Sequence, residues 1–259
     1  MLQETRLHRI RALLTTLHQV STERIIKELG ISRETARRDI IELEALGVAR
    51  RVHGGLIAVG NRHTEPPLAV RHAAMAKEKR AIARAAVQHL HAGQTVFLDG
   101  GSTTTLLADE MRSMSGLTVI TNSLQAALKL TAAEEDEHLN NQVILIGGMM
   151  TAGAQQTRGE QTMGEIYRYR ADIALLSPVG IDANSGASSF QPHEAAIARA
   201  MTQQATQLII LADHSKLGIV SRSLYATPRE IDVLITDADA GQNPALAALR
   251  LALPEVVLA

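Results

Sequence analysis

Leu7, Ile10, Leu14 and Leu17 recur at three- and four-residue spacing, so the chain opens on a helix with one apolar face. A short second helix is predicted from Ser21 or Thr22, with Ile25, Ile26 and Leu29 turned inward and Gly30 ending it. Ile31 then leads into Ser32, a strong N-cap, and a third helix runs to Leu46 before Gly47. Ala36, Ile40 and Leu43 form its buried stripe. Beyond Gly47 the pattern becomes a strand, Val48-Ala49-Arg50-Arg51-Val52, followed by a turn at His53-Gly54-Gly55. A second apolar run, Leu56-Ile57-Ala58-Val59, completes a predicted hairpin beside the third helix.

From Arg71 onward short apolar runs alternate with amphipathic helices. Ile82, Ala83, Ala86 and Leu90 line a helix ending at Gly93, and the strand Thr95-Val96-Phe97-Leu98 follows. It runs into Asp99-Gly100-Gly101-Ser102-Thr103-Thr104-Thr105, with a helix predicted from Leu106. Further strands are predicted over residues 117–120, 143–146, 173–176, 208–211 and 233–236. Continuous apolar strands separated by helices imply a mainly parallel α/β sheet covered on both faces. Between head and body, Asn61-Arg62-His63-Thr64-Glu65-Pro66-Pro67 has no apolar period, and its prolines favour extended backbone. The expected organisation is therefore a helix-and-hairpin head over residues 1–60, a linker over 61–76 and an α/β body over 77–259. No internal repeat is evident, and Glu134-Glu135-Asp136-Glu137 reads as a solvated loop.

Composition narrows the function. The 259 residues suffice for two domains, and 46% hydrophobic with 20% charged residues is a globular balance. The absence of cysteine excludes a disulfide scaffold, a thiolate zinc finger, an iron–sulfur cluster and a cysteine nucleophile. With 2% aromatic residues and no tryptophan, a platform for stacking single-stranded bases is disfavoured. No apolar run approaches the roughly 18 residues of a membrane span. Met1-Leu2-Gln3-Glu4-Thr5-Arg6 lacks the order of a signal peptide, so a cytoplasmic protein without membrane contact is expected.

The net charge of −1 hides an asymmetry. Residues 1–60 hold ten Lys and Arg against seven Asp and Glu, and the remainder holds sixteen against twenty. A basic head on an acidic body suggests that the head alone meets a polyanion. Arg33, Thr35, Arg37 and Arg38 lie on the exposed surface of the third helix, and Arg50, Arg51 and His53 on the hairpin. Arginines on such a helix suit base edges and phosphates in the major groove of duplex DNA, while those on the hairpin suit the backbone. A three-helix cap with a solvated arginine face explains each arginine singly, and explains their presence on both elements less well.

In the body, strand after strand opens at its C-terminal end into Gly, Ser, Thr, Asn or Asp. That edge is where open α/β sheets bind ligands. Asp99-Gly100-Gly101-Ser102-Thr103-Thr104 suits a phosphate or a sugar carrying one, since glycines admit backbone N–H groups and hydroxyls add donors. No GxxxxGK[ST] or GxGxxG stretch is present, so neither a nucleotide cofactor nor any other cofactor is called for. His89 and His91 have no third ligand at metal-like spacing, so no metal is expected. Met149-Met150 reads as packing.

The run Ile31-Ser32-Arg33-Glu34-Thr35-Ala36-Arg37-Arg38-Asp39-Ile40, with Leu43 and the wing Arg51-Val52-His53-Gly54-Gly55, resembles the winged helix-turn-helix of the DeoR family of bacterial sugar-responsive transcription regulators. The resemblance adds Ser32, Glu34 and Gly54 to the DNA-facing set. It extends over nearly the whole chain through Glu65-Pro66, Arg71, Lys79, Ile82-Ala83, Gly186 and Ser215. For effector binding it implies Asp99 to Thr104, Thr121, Asn122, Ser123, Gly147, Gly148, Gly180, Asp182, Glu194, Asp213 and Lys216. Such bodies are similar to ribose-phosphate isomerases and glucosamine-phosphate deaminases, used for sensing. A phosphorylated sugar or polyol as inducer of a repressor is thereby implied. Two departures stand out: Ser177-Pro178 where a more glycine-like stretch is common, and Gly100 where a serine is frequent.

The alternative is a sugar-phosphate isomerase or deaminase with an added helical domain, since Asp99, Asp182, Glu194 and Asp213 offer carboxylates for proton transfer. That reading gives the head no task. A sugar-binding activator or antiterminator would share the sensing half. A homo-oligomer, dimer or tetramer, is expected, because paired half-sites multiply the few contacts of one wing.

Overall fold

The computed structural model describes residues 2–17, 19–52, 54–58, 68–132, 141–150 and 155–259, and it divides into two units, Met1–Ala74 and Met75–Ala259. The first holds α1 (Gln3–Leu17), β1 (Gln19–Ser21), α2 (Thr22–Leu29), α3 (Arg33–Ala45), β2 (Ala49–Val52), β3 (Gly55–Ala58) and α4 (Leu68–Ala73). Ser21 Oγ accepts from the Arg24 N–H at 3.1 Å to start α2, and Gly30, at φ 62°, stops it in the left-handed region. Ser32 Oγ takes the Thr35 N–H at 3.2 Å to start α3. Ile10, Leu14, Val20, Ile25, Ala36, Ile40, Leu43 and Leu56 close one apolar core. The side chain of Leu17, together with His53, Val59, residues 61–67 and the acidic run 134–137, lies outside the described residues.

β2 and β3 form the expected hairpin, Val52 pairing with Gly55, and the sheet has a third strand that no local pattern announced. β1 pairs antiparallel with β3 through Val20 and Leu56. Three residues are too few to show a period, so β1 exists by its pairing and by the buried Val20. Helix-turn-helix plus hairpin is a winged helix-turn-helix.

The second unit contains α5 (Ala76–Val87), β4 (Thr95–Leu98), α6 (Ser102–Glu110), β5 (Thr118–Thr121), α7 (Leu124–Thr131), β6 (Gln142–Leu145), α8 (Glu160–Ile166), β7 (Ala171–Leu176), β8 (Gly180–Asp182) and β9 (Gly186–Ser189). It continues with α9 (Pro192–Gln204), β10 (Ala205–Leu211), β11 (Ser223–Ala226), β12 (Val233–Thr236), α10 (Ala245–Ala252) and β13 (Glu255–Leu258). A seven-stranded sheet runs β13-β12-β10-β7-β4-β5-β6, with every pairing parallel. Alternate residues face opposite sides: Val96, Leu98, Leu175 and Ile209 pack under α5, α6 and α7, while Phe97, Ala174, Leu176 and Ile210 pack under α8, α9 and α10. This is the mainly parallel, doubly covered sheet that the apolar runs implied. The antiparallel ribbon β11-β9-β8 was not foreseen, because its strands are short and rich in Gly, Ala and Ser.

Candidate functional site

The chain lays down β4, β5 and β6 outward in one direction, then crosses back to place β7, β10, β12 and β13 on the other side of β4. The reversal falls between β4 and β7, and ligand crevices of open α/β sheets lie outside the carboxyl ends of the strands at such a point. Asp99 follows directly on β4 and Ser177 on β7, and the Ser177 N–H donates to Asp99 Oδ2 at 2.9 Å. Asp99 Oδ1 is shut off from solvent with no hydrogen-bond partner among the described residues. Burial pushes the Asp99 carboxyl up to about 7. The Ser177 N–H, the Thr104 hydroxyl and the Lys216 ammonium pull it down, and the Glu194 charge adds to the rise.

The hydroxyl-rich stretch after Asp99 is a helix start. The sequence placed the helix from Leu106, whereas α6 begins at Ser102. Thr104 and Thr105 hydroxyls donate to the Gly101 carbonyl at 3.1 and 2.6 Å, and Ser102 to Thr105 are all buried. Gly101 caps the helix without a side chain, so its positive end faces the crevice undecorated. The Thr103 hydroxyl is buried without a partner among the described residues. An anion is what such a terminus holds.

Other candidates converge on Asp99. Glu194 stands in the first turn of α9, and its Oε1 accepts from Gln156 Nε2 at 2.8 Å. Lys216 lies in the short 3-10 helix after β10, and its Nζ donates to Ser177 Oγ at 3.1 Å. Tyr225 of β11 is buried, its hydroxyl without a partner among the described residues. Burial, and then the Asp99 charge, push its phenol well above the ordinary value. Gln156 and Tyr225 were absent from the sequence-based set, since nothing local marks them, and Ser177 entered only as a departure from the family's pattern.

The remaining candidates are occupied locally. Ser123 caps α7 by accepting the Ala126 N–H at 3.2 Å, and Thr121 Oγ1 takes the Ser123 N–H at 3.0 Å. Asn122 donates to the Thr157 carbonyl at 3.0 Å, while its Oδ1 is buried without a partner among the described residues. The Gly147 carbonyl accepts the Thr162 hydroxyl at 2.9 Å, and a Cβ at Gly148 would run into that same hydroxyl. Gly180 lies in β8, where a Cβ would meet the Ile219 carbonyl. Asp182 Oδ1 accepts the Asn184 and Ser185 N–H groups at 2.9 and 3.0 Å, which holds the turn between β8 and β9. Asp213 caps its 3-10 helix through Ser215. His214, Asp237 and Asp239 bring ligand atoms within 4.8 Å of one another, but both Asp237 oxygens already accept from His214 or Asp239.

In the first unit, Arg33, Glu34, Arg37 and Arg38 are exposed along α3 and Arg50 and Arg51 along β2. Among the described residues Arg33, Arg37 and Arg50 form no ion pair, and Arg38 has only an exposed partner, Glu34, at 3.6 Å. Ser32 and Thr35 spend their hydroxyls on each other at 2.8 Å. Arg33, Arg37, Arg51 and Gly54 line a concavity of about 790 Å³ between α3 and the wing. On the same helix, Asp39 is fully buried and takes a two-pronged grip from Arg6 of α1, at 2.7 and 3.0 Å. The Arg6 guanidinium is held charged by that hydrogen bond and by the Asp39 charge, against the pull of burial.

A family model described as the DeoR-like helix-turn-helix domain matches residues 6–62, and one described as the DeoR C terminal sensor domain matches residues 74–238. The HTH-type transcriptional repressor GlcR of Bacillus subtilis is 35% identical over 237 residues, covering 92% of this chain and 89% of that protein. The glycerol-3-phosphate regulon repressor of Escherichia coli is 31% identical over 219 residues, covering 85% of this chain and 84% of its own. Among solved structures, ribose 5-phosphate isomerase A of Methanocaldococcus jannaschii superposes with a TM-score of 0.41 at 16% identity, over 56% of this chain and 55% of that one. Among the described residues no helix is long and apolar enough to cross a membrane.

Proposed function

The chain belongs to the DeoR family of helix-turn-helix transcriptional regulators, and from that membership we propose a repressor of a sugar or polyol catabolism operon, released from its operator by a phosphorylated sugar metabolite. The DNA-reading surface is the outer face of α3, with Arg33, Arg37 and Arg38, flanked by Arg50 and Arg51 of the wing. The α3 arginines take base edges or phosphates, and the wing arginines hold the backbone.

The observation that carries the effector reading is the pairing of an uncapped, buried helix start at Gly101-Ser102-Thr103 with carboxylates of Asp99 and Glu194 beside it. The helix start suits phosphate. The carboxylates suit the hydroxyls of a sugar or polyol, and the unpartnered Asp99 Oδ1 is an acceptor waiting for a donor. A relative whose name refers to glycerol-3-phosphate agrees with this chemistry. We read the crevice as a sensor that turns nothing over, because an isomerase-like role would leave the DNA-binding unit without a task. A homo-oligomer serves the operator, since one wing offers few base contacts.

The test titrates the purified chain onto promoter fragments from its own locus, by fluorescence anisotropy, with and without a panel of sugar phosphates. Binding without ligand and release by one panel member is the expected result. Turnover of that same compound at enzymatic rates would overturn the sensor reading, and indifference to every fragment at low salt would overturn the repressor reading.

A further inference from the structure

Tyr225 is buried, and its hydroxyl has no hydrogen-bond partner among the described residues. A phenylalanine would fill the same space without enclosing a polar oxygen, so packing alone does not account for a tyrosine here. The backbone at this place is specialised as well. Leu224 stands opposite Ser188 and Ala226 opposite Ala187, which leaves Tyr225 as the extra residue of a β-bulge. Leu224 is exposed whereas Tyr225 and Ala226 are both buried, so the alternation of β11 breaks at this residue. Bulges re-aim side chains beside binding sites.

The bulge is fastened from two sides. The Tyr225 carbonyl accepts from Arg199 Nη1 at 3.2 Å, and the same nitrogen donates to Glu230 Oε1 at 2.5 Å. Arg199 lies on α9, the helix whose first turn carries Glu194. Beside the bulge, a Cβ at Gly186 would run into the Ala226 carbonyl, so β9 and β11 meet without room to spare. Tyr225 is thus held by its backbone, and its hydroxyl contributes nothing to that hold.

The hydroxyl lies near enough to Asp99 for the carboxylate charge to act on it. The two do not bond to each other, although Asp99 Oδ1 is equally enclosed and equally without a partner among the described residues. One side offers a proton and the other offers lone pairs. A group that satisfies both at a single oxygen must donate and accept, as an alcohol does and a carbonyl or ether oxygen does not.

We infer that Tyr225 and Asp99 hold one and the same hydroxyl of the effector, which donates to Asp99 Oδ1 and accepts from the phenol, so that Tyr225 is a specificity residue for an alcohol at that carbon. This assignment rests on the effector reading above, with the phosphate at the start of α6. It adds the selection of a hydroxyl over a hydrogen or a carbonyl at one carbon of the ligand.

Calorimetric titrations of the full chain near pH 8, where the Asp99 carboxyl is mostly ionised, test it. The probes are sn-glycerol 3-phosphate, D-ribose 5-phosphate and D-glucose 6-phosphate, with the single-deoxy analogues of each. Tyr225→Phe should weaken the tightest-binding probe by about five- to tenfold, the effect of one hydrogen bond. One of its deoxy analogues should bind the unmodified chain at least about tenfold more weakly, yet lose no more than about twofold further in Tyr225→Phe, since the shared hydroxyl is already gone. Equal weakening of every analogue by Tyr225→Phe would make the tyrosine merely structural and overturn the inference. The ligand-free variant should melt no lower than the unmodified protein, because no hydrogen bond is lost from it. A variant that melts lower or does not fold also overturns the inference, for the hydroxyl would then have a structural partner. Affinity for the best probe unchanged within about twofold in Tyr225→Phe, while Asp99→Ala loses binding, overturns the inference alone. Full binding by Asp99→Ala, or no binding of any probe by the unmodified chain, overturns the crevice reading and this inference with it.

Discussion

Asp99 and Ser177 meet across the reversal of the sheet, the Ser177 N–H at 2.9 Å from Asp99 Oδ2 joining the ends of β4 and β7. The bond fixes one carboxyl oxygen and leaves Oδ1 enclosed and unpartnered among the described residues. Leaving a buried acceptor unmatched costs about 1–3 kcal/mol, which a ligand hydroxyl would recover.

That arrangement has a pH signature. Burial lifts the Asp99 carboxyl to about 7, whereas in the unfolded chain it titrates near about 4. Between those values the native state holds a proton that the unfolded state has released, so stability falls as pH rises through the window and levels off above it. Asp99→Asn keeps an acceptor for the Ser177 N–H and removes the charge. The ligand-free variant should melt on the order of 5 °C above the unmodified protein near pH 8, with the gap closing toward about pH 4. Scanning fluorimetry across that range decides it, and a gap independent of pH would mean that Asp99 does not carry the titration.

The grip of Arg6 on Asp39 fastens the recognition helix to α1. Asp39 has no access to solvent, so removing Arg6 strands a buried negative charge. Arg6→Ala should lower the melting temperature of the DNA-binding unit and weaken operator binding, through the loss of the grip that holds α3. A double apolar replacement, Arg6→Met with Asp39→Leu, should lose less stability than Arg6→Ala alone. If the double variant proves the less stable, the pair contributes more than the absence of a stranded charge.

How far the sequence spoke depended on whether a signal was periodic. Val96, Phe97 and Leu98 announce a strand buried on both faces, and Ala36, Ile40 and Leu43 announce the inner face of α3, because burial repeats along each element. The start of α6 was misplaced because Ser102 to Thr105 are weak helix formers that favour turns. Burial, and the return of two threonine hydroxyls to the Gly101 carbonyl, override that preference. The meeting of Gln156 with Glu194, and of Lys216 with Ser177, joins residues more than thirty positions apart, and no local pattern encodes such a contact. Asp182 shows the converse, since its carboxylate holds a turn.

The wing makes a sharper test of one glycine. Gly54 sits at φ 84°, and its neighbour Gly55 is there for closeness. A Cβ at Gly55 would run into the Val20 carbonyl and stand 2.9 Å from Ser21 Cα, both backbone atoms of β1. Neither atom can swing aside as a side chain would. Gly55→Ala should therefore part β1 from β3 and destabilise the unit by about 1–3 kcal/mol. Hydrogen exchange should show faster exchange at Val20 and Leu56 in the variant. Protection equal to that of the unmodified chain would contradict the pairing.

The exposed arginines of α3 separate by what they leave on the salt dependence. Arg37 lines the concavity between α3 and the wing and forms no ion pair among the described residues, whereas Arg24 of α2 pairs with Glu28 at 3.3 Å. If Arg37 holds a phosphate, Arg37→Ala should weaken binding to all duplexes alike and flatten the plot of log affinity against log salt by about one unit. If it grips a guanine edge, the loss of about 1–3 kcal/mol should fall on the operator and spare unrelated DNA, with the slope little changed. Arg24→Ala should do neither beyond a small change in slope, for its charge is already matched. Anisotropy titrations of both variants on operator and unrelated duplexes at several salt concentrations distinguish these cases. Operator affinity unchanged in Arg37→Ala would remove Arg37 from the DNA-reading surface.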